Sequence, residues 1–365
     1  MRKARLAVTF VALASLFPLT AVSDDNDRTP LLPQLATSPL QVVSTVPANG
    51  DLNPYGVAFV PREFAPGGAI HPGDVLVSNF NNSSNLQGTG TTIVSIARDG
   101  TQSLFFQGPK GLGLTTALGA LRRGVVLVGN VPTTDGTSAT VQQGSLIAID
   151  RSGKTIASFT DSTLLDGPWD LTLLDFDREV LAFVSNVLNG TVTRLSFDIS
   201  RDGEHVTLES ATQIATGYLH RTDPAALVVG PTGLAFDRDN DLLYVASTGD
   251  NAIYAIRNPL RRGEAVNKGE LVYRDSAHLR GPLGLIRAAN GHLIATNGDA
   301  VNGNPSQPSE MIEFTPRGQF VAQVSVDTGG QGGAFGLALH GRDDRQRLAA
   351  VDDVVNTLEI WSISN

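Results

Sequence analysis

Residues Gly230 to Ile256 read GPTGLAFDRDNDLLYVASTGDNAIYAI, and this stretch decides the fold. It divides into three short apolar runs: GLAF, then LLYVAS after an Asp-rich turn, then AIYAI after a second turn at Thr248, Gly249, Asp250 and Asn251. Apolar and β-branched residues bounded by Gly, Asp and Asn clusters form strands and hairpins, and the runs are too short for helices.

Working outward, the start of this unit recurs as X-Gly-apolar in NPYGVAF from Asn53, KGLGLTT from Lys110, GPWDLTL from Gly167, GPLGLIR from Gly281 and GAFGLAL from Gly333. The residues at X are Tyr55, Leu112, Trp169, Thr232, Leu283 and Phe335, at spacings of 57, 57, 63, 51 and 52. A second motif follows each start: DVLVSN to Asn79, VVLVGN to Asn130, LAFVSN to Asn186, LLYVAS to Ser247, HLIATN to Asn297 and LAAVD to Asp352. Third strands such as TIVSIA, AIYAI and LEIWSI come next, and most units add a fourth. Six repeats of this length, each a four-stranded antiparallel sheet, predict an all-β, six-bladed β-propeller.

The Gly230 unit resembles a blade of the NHL-repeat propellers, and the resemblance extends over residues 41 to 365. The sixth unit lacks a fourth strand, while PLQVVSTV, Pro39 to Val46, precedes the first blade unassigned. That strand is expected to pair near Trp361 and close the ring, leaving no open blade edge. The domain plan is therefore a propeller over 39–365 behind a flexible, Asp- and Pro-rich leader over 24–38. Residues 1–23 are read as an export signal, from Arg2, Lys3 and Arg5 ahead of a short apolar run ending in Ala21-Val22-Ser23. The expected location is periplasmic or secreted, with no stable membrane insertion once the signal is cleaved.

Without that signal, 24 Lys and Arg face 36 Asp and Glu, a net charge of −12. Such a surface repels nucleic acid. The absence of Cys excludes disulfides, thiol nucleophiles and thiolate metal sites.

Blade topology places the first-strand starts and the turns after the second strands on one face, the mouth face, where propellers usually bind. The long loops Asn79 to Thr92, Asn130 to Gly144 and Asn297 to Ser309 would rim it, with TGYLHRTDPAALVV ahead of blade four. Tyr55, Trp169 and Phe335 are candidates for an aromatic lip, with Asn79 and Asn130 as polar ligand contacts. The Asn and Asp residues that end second strands are equally explained as turn formers that bond their own backbone two residues on.

The fold also resembles the regucalcin and gluconolactonase propellers, which implies a divalent metal, calcium, held near the axis by carboxylate and amide groups. The X positions carry no such ligands here, so a metal would fall to Asn297, Asp299 and Asp352. Amidating-lyase propellers, relatives of the NHL group, imply His ligands, for which His220 and His278 on the mouth face are candidates, completed by Asp223 or Asp275. Asp170 stands where the other units carry Gly. It could act as an acid or base, with His220 as a second catalytic candidate, or accept a backbone N–H from a neighbouring strand. The expectation is an exported binding or scaffold propeller whose partner is a protein, peptide, glycan or small molecule. The alternative is a metal-assisted lactonase or lyase at the channel mouth.

Overall fold

The computed structural model describes residues 29–298, 301, 310–327, 332–342 and 345–364. Asp299 and the signal segment 1–23 lie outside them. Six antiparallel sheets of four strands surround a central channel, and the third adds a short parallel strand, Val266–Asn267. The innermost strands contact one another in cyclic order. Blade four illustrates the unit, with Pro231–Asp237 innermost, then Leu242–Ser247, Ala252–Arg257 and Glu270–Tyr273.

Position within a blade sets the residue pattern. Second strands are covered by a neighbouring blade on each face, so Val75–Asn81 and Val125–Asn130 are buried along their whole length and read as apolar runs. Outer strands bury one face and alternate, as in Leu40–Ser44. Six apolar clusters hold the blades together.

Leu40–Ser44 pairs antiparallel with Thr357–Ser364, with Leu40 opposite Trp361, and supplies the fourth strand of blade six. The ring closes as expected. The leader expectation needs correction. Leu32–Thr37 forms a 3-10 turn, with Leu31, Leu32 and Leu35 buried beside Ala288, Met311, Leu348 and Trp361 between blades five and six. Glu313 accepts the Leu31 N–H (2.8 Å) and the Leu32 N–H (2.8 Å) and also bonds His292 Nδ1 (2.8 Å), so this segment is pinned by burial and by charge.

The close packing of inner strands explains the repeated Gly. A Cβ on Gly56 would lie 2.9 Å from Thr115 O, on Gly233 2.4 Å from Leu283 O, on Gly284 2.4 Å from Phe335 O, and on Gly336 2.0 Å from Tyr55 O. Each Gly thus admits the carbonyl of the next blade's X residue. In blade two that residue is Thr115, which corrects the assignment of Leu112. The register there runs Leu114 to Asn130 and then Leu118 to Val128, one residue more in the bulge than Pro54 to Asn79 and Val57 to Val77 in blade one. Two blades replace Gly by a hydrogen-bonding side chain: Thr116 Oγ1 donates to Trp169 O (2.5 Å) and Asp170 Oδ2 accepts Leu234 N–H (3.0 Å).

Candidate functional site

At the mouth, the X residues of blades one, three and six come together. Tyr55 stacks on Phe335 at 4.4 Å between ring centroids and on Phe80 at 4.5 Å, while Trp169 meets Tyr55 edge-on at 5.8 Å. All are buried. Tyr55, Trp169 and Phe335 floor a cavity of about 270 Å³ that Asn53, Thr248, Leu283 and Asp353 also line. One wall is the hairpin formed by Arg221–Asp223 and Leu227–Val229, whose tip residues Ala225 and Ala226 line the cavity and whose Leu227 and Val228 join the aromatic cluster. Asp223 shapes this hairpin: it accepts the Ala225 and Ala226 N–H groups and pairs with Arg221.

Asp353 gives the site its chemistry. Burial first, then the charges of Asp352 and Asp327, push its carboxyl up to about 8. A carboxyl raised in this way favours its protonated, hydrogen-bond-donating form. Burial and the Asp353 charge push the Tyr55 hydroxyl far up, so it stays neutral. Glu359 is raised to about 7 by burial and by Asp352 and Asp327. Trp169 Nε1 is buried without a hydrogen-bond partner, as is Asn53 Oδ1. A buried polar atom without a partner is costly.

Comparison with solved structures yields several propellers of the same architecture. A gluconolactonase from Xanthomonas campestris is 14% identical with a TM-score of 0.53, covering 88% of this chain and 89% of that one. A calcium-binding regucalcin from Agrobacterium tumefaciens is 15% identical with a TM-score of 0.51, over 88% and 95%. An α-L-arabinofuranosidase from Fusarium graminearum, bound to an iminosugar inhibitor, is 12% identical with a TM-score of 0.52, over 88% and 98%. These likenesses establish the fold. No family model and no curated protein matches the chain.

The remaining candidates are dispersed. Asn79 donates to Thr45 O (3.1 Å), Asn130 to Leu112 O (2.9 Å), Asn186 to Leu164 O (3.2 Å) and Asn297 to His278 O (2.7 Å). Each amide clamps the segment that leads into its own blade. This corrects both the ligand role given to Asn79 and Asn130 and the local turn role, which only Asp352 fills among these, by accepting the Val354 N–H. Asn297 is spent in this clamp and on Glu310, so it does not converge with Asp352. His220 is exposed and faces Tyr218 O at 3.0 Å, away from the cavity. His278 pairs with Asp275 (2.6 Å) and stacks on Phe320.

Among the described residues no three His, Asp or Glu are grouped to hold a metal ion. With Tyr, Thr, Trp, Thr, Leu and Phe at the X positions, the residues present do not fit a calcium ion in the channel. Asp170 borders a second cavity of about 220 Å³ below the aromatic floor, and burial raises its carboxyl to about 7 against the pull of the Leu234 and Leu171 N–H groups. It accepts the neighbouring strand's N–H, one of the two roles the sequence left open, and shares no partner with His220.

Asp353 was missed because its turn, Asp352 to Asn356, reads as an ordinary Asp-rich hairpin. The only available signal was a second acid directly after a strand-ending one, at a position facing Tyr55.

Proposed function

We propose that this propeller acts on small molecules at its mouth, taking a compact, neutral, oxygen-bearing ring of the lactone or sugar-derived class. The observation that carries this reading is a cavity floored by Tyr55, Trp169 and Phe335 whose wall bears the Asp353 carboxyl, which burial and neighbouring acids push upward. Rings pack on Tyr55, Trp169 and Phe335, and Asp353 donates to a ring or carbonyl oxygen. In lactone opening, water adds to the carbonyl carbon and the ring C–O bond breaks. The ring oxygen leaves with the Asp353 proton, and the carboxylate recovers one from the attacking water.

Kinship with the NHL group, and action after export in the periplasm or outside the cell, belong to the same proposal. The test is a lactone and ester screen with the wild type and Asp353→Asn. Turnover that falls at least about 100-fold in the variant and declines above pH 8 supports general acid catalysis. Full turnover by the variant rejects it.

A second reading, a binding module without turnover for a peptide, glycan or protein, has its own support. Val354 and Val355, beside Asp353, are 46% and 59% exposed, and Leu219 on the same face is 53% exposed. Ring ligands that bind without being hydrolysed would decide for it.

A further inference from the structure

The opposite face carries a charge pattern unlike the rest of the chain. Between blades six and one, two adjoining cavities of about 690 and 350 Å³ share Arg62, His340 and Arg345, and the second adds Arg98 and Arg347. Four arginines thus line the groove, and the charges of three of them, Arg62, Arg347 and Arg98, reach one imidazole, on a protein with 27 Lys and Arg against 36 Asp and Glu. The floor is ordered. Arg347 lies 5.2 Å over the Phe59 ring, Phe59 packs on His340 at 5.2 Å, and Arg347 Nη1 donates to Gly73 O (3.0 Å).

Arg98 converges on the same turn, since a Cβ on Gly73 would lie 2.4 Å from its Nε. Among the described residues the acids beside these cations are Glu63 and Asp74. Glu63 stands at the rim, and Asp74 is engaged by the His71 N–H. Among the described residues, Arg62, Arg98 and Arg345 form no ion pair. Burial, then the charges of Arg62, Arg347 and Arg98, hold His340 below the ordinary histidine range, with Glu63 pulling the other way. Burial, then Arg98, likewise depress Arg347, with the Asp74 charge pulling the other way.

We propose that this groove binds a compact multivalent oxyanion, a small molecule carrying phosphoryl or several carboxylate groups. The exposed forks of Arg62, Arg98 and Arg345 would grip it over the Arg347–Phe59–His340 stack. Planar guanidinium forks match phosphate and carboxylate oxygens two at a time. A compact ligand is favoured over a polymer because the negative charge of the rest of the surface repels an extended polyanion.

The test is calorimetric titration of the full chain with pyrophosphate and, separately, with citrate, alongside NMR titration of His340. The expected result is one saturable site for at least one probe, weakened about tenfold by Arg62→Gln and by Arg345→Gln. Both substitutions are at exposed positions, and matched melting curves confirm that the variants fold. Arg345→Lys, which keeps the charge but loses the fork, should restore only part of the affinity. Saturation should raise the His340 pKa. Tighter pyrophosphate binding assigns the phosphoryl class, and tighter citrate binding the polycarboxylate class.

The proposal is overturned if neither probe binds better than sulfate, or if binding survives the two Arg→Gln changes together. It is also overturned if binding appears only in an Asp343→Asn, Asp344→Asn variant. The chain's own acids beside Arg345, which lie outside the described residues, would then be the groove's counter-ions.

Discussion

Adding one methyl group at Gly336 tests the packing on which the ring depends. Its Cβ would stand 2.0 Å from Tyr55 O and 3.1 Å from the Tyr55 carbonyl carbon, where an ordinary contact begins at 3.4 Å, a shortfall of 1.4 Å. The obstacle is backbone on the inner strand of blade one, which no rotamer change relieves. Blades six and one must therefore separate at the seam where the ring closes. Overpacking of this kind costs about 3 kcal/mol, which lowers Tm by roughly 4 °C in a chain of this size. A matched control is Gly263→Ala, where a Cβ meets nothing within 4 Å. There the loss of backbone freedom in the unfolded chain should leave stability unchanged or raise it by up to about 1 kcal/mol. Thermal melts and guanidinium unfolding of both variants measure the difference, and the fluorescence of Trp169, 5.8 Å from Tyr55, reports the seam. If Gly336→Ala melts with the wild type, the strands do not approach as described, and the explanation of the repeated Gly fails with them.

Two further outcomes follow from the same geometry. Because the folded pKa of Asp353 is raised to about 8, the native state holds a proton that the unfolded state has released between about pH 4 and pH 8. Its contribution therefore falls as pH rises through that window, and Asp353→Asn should gain stability relative to wild type by on the order of 4 kcal/mol from pH 5 to pH 8.5. A constant difference in melting temperature across that range would contradict the buried, protonated state. Leu32→Ala, at a fully buried site beside Trp361, should cost about 2–3 kcal/mol in denaturant unfolding. No loss would mean that the leader turn contributes nothing to the ring.

The fold was legible because the repeat is carried by local chemistry: strand-length apolar runs, turn residues and a Gly at each inner strand. It failed locally in blade two, where Gly111 and Gly113 imitate the motif while the functional equivalent is Thr116, hydrogen-bonded instead of absent. The leader was misjudged because its Asp and Pro content outweighed Leu31, Leu32 and Leu35, whose spacing is that of a one-sided turn. Their partner Glu313 lies about 280 positions away. Tyr55, Trp169 and Phe335 were found because repeat arithmetic places X residues on one rim. The Asn clamps were misassigned because an amide that ends a strand looks the same whether it bonds its own turn or the segment beneath it. The hairpin over the mouth and the elevated Asp353 depend on which distant groups fold against them, which no local pattern records.

The stacked rings at the mouth have a consequence for traffic. The cavity above Tyr55 and the one beside Asp170 share no lining residue, and the packed rings of Tyr55, Trp169 and Phe335 lie between them. If the proposed ring substrate enters over the 221–229 hairpin, its product must leave past the same hairpin. Changes to that hairpin should therefore alter entry and departure together, while changes on the opposite face leave both untouched.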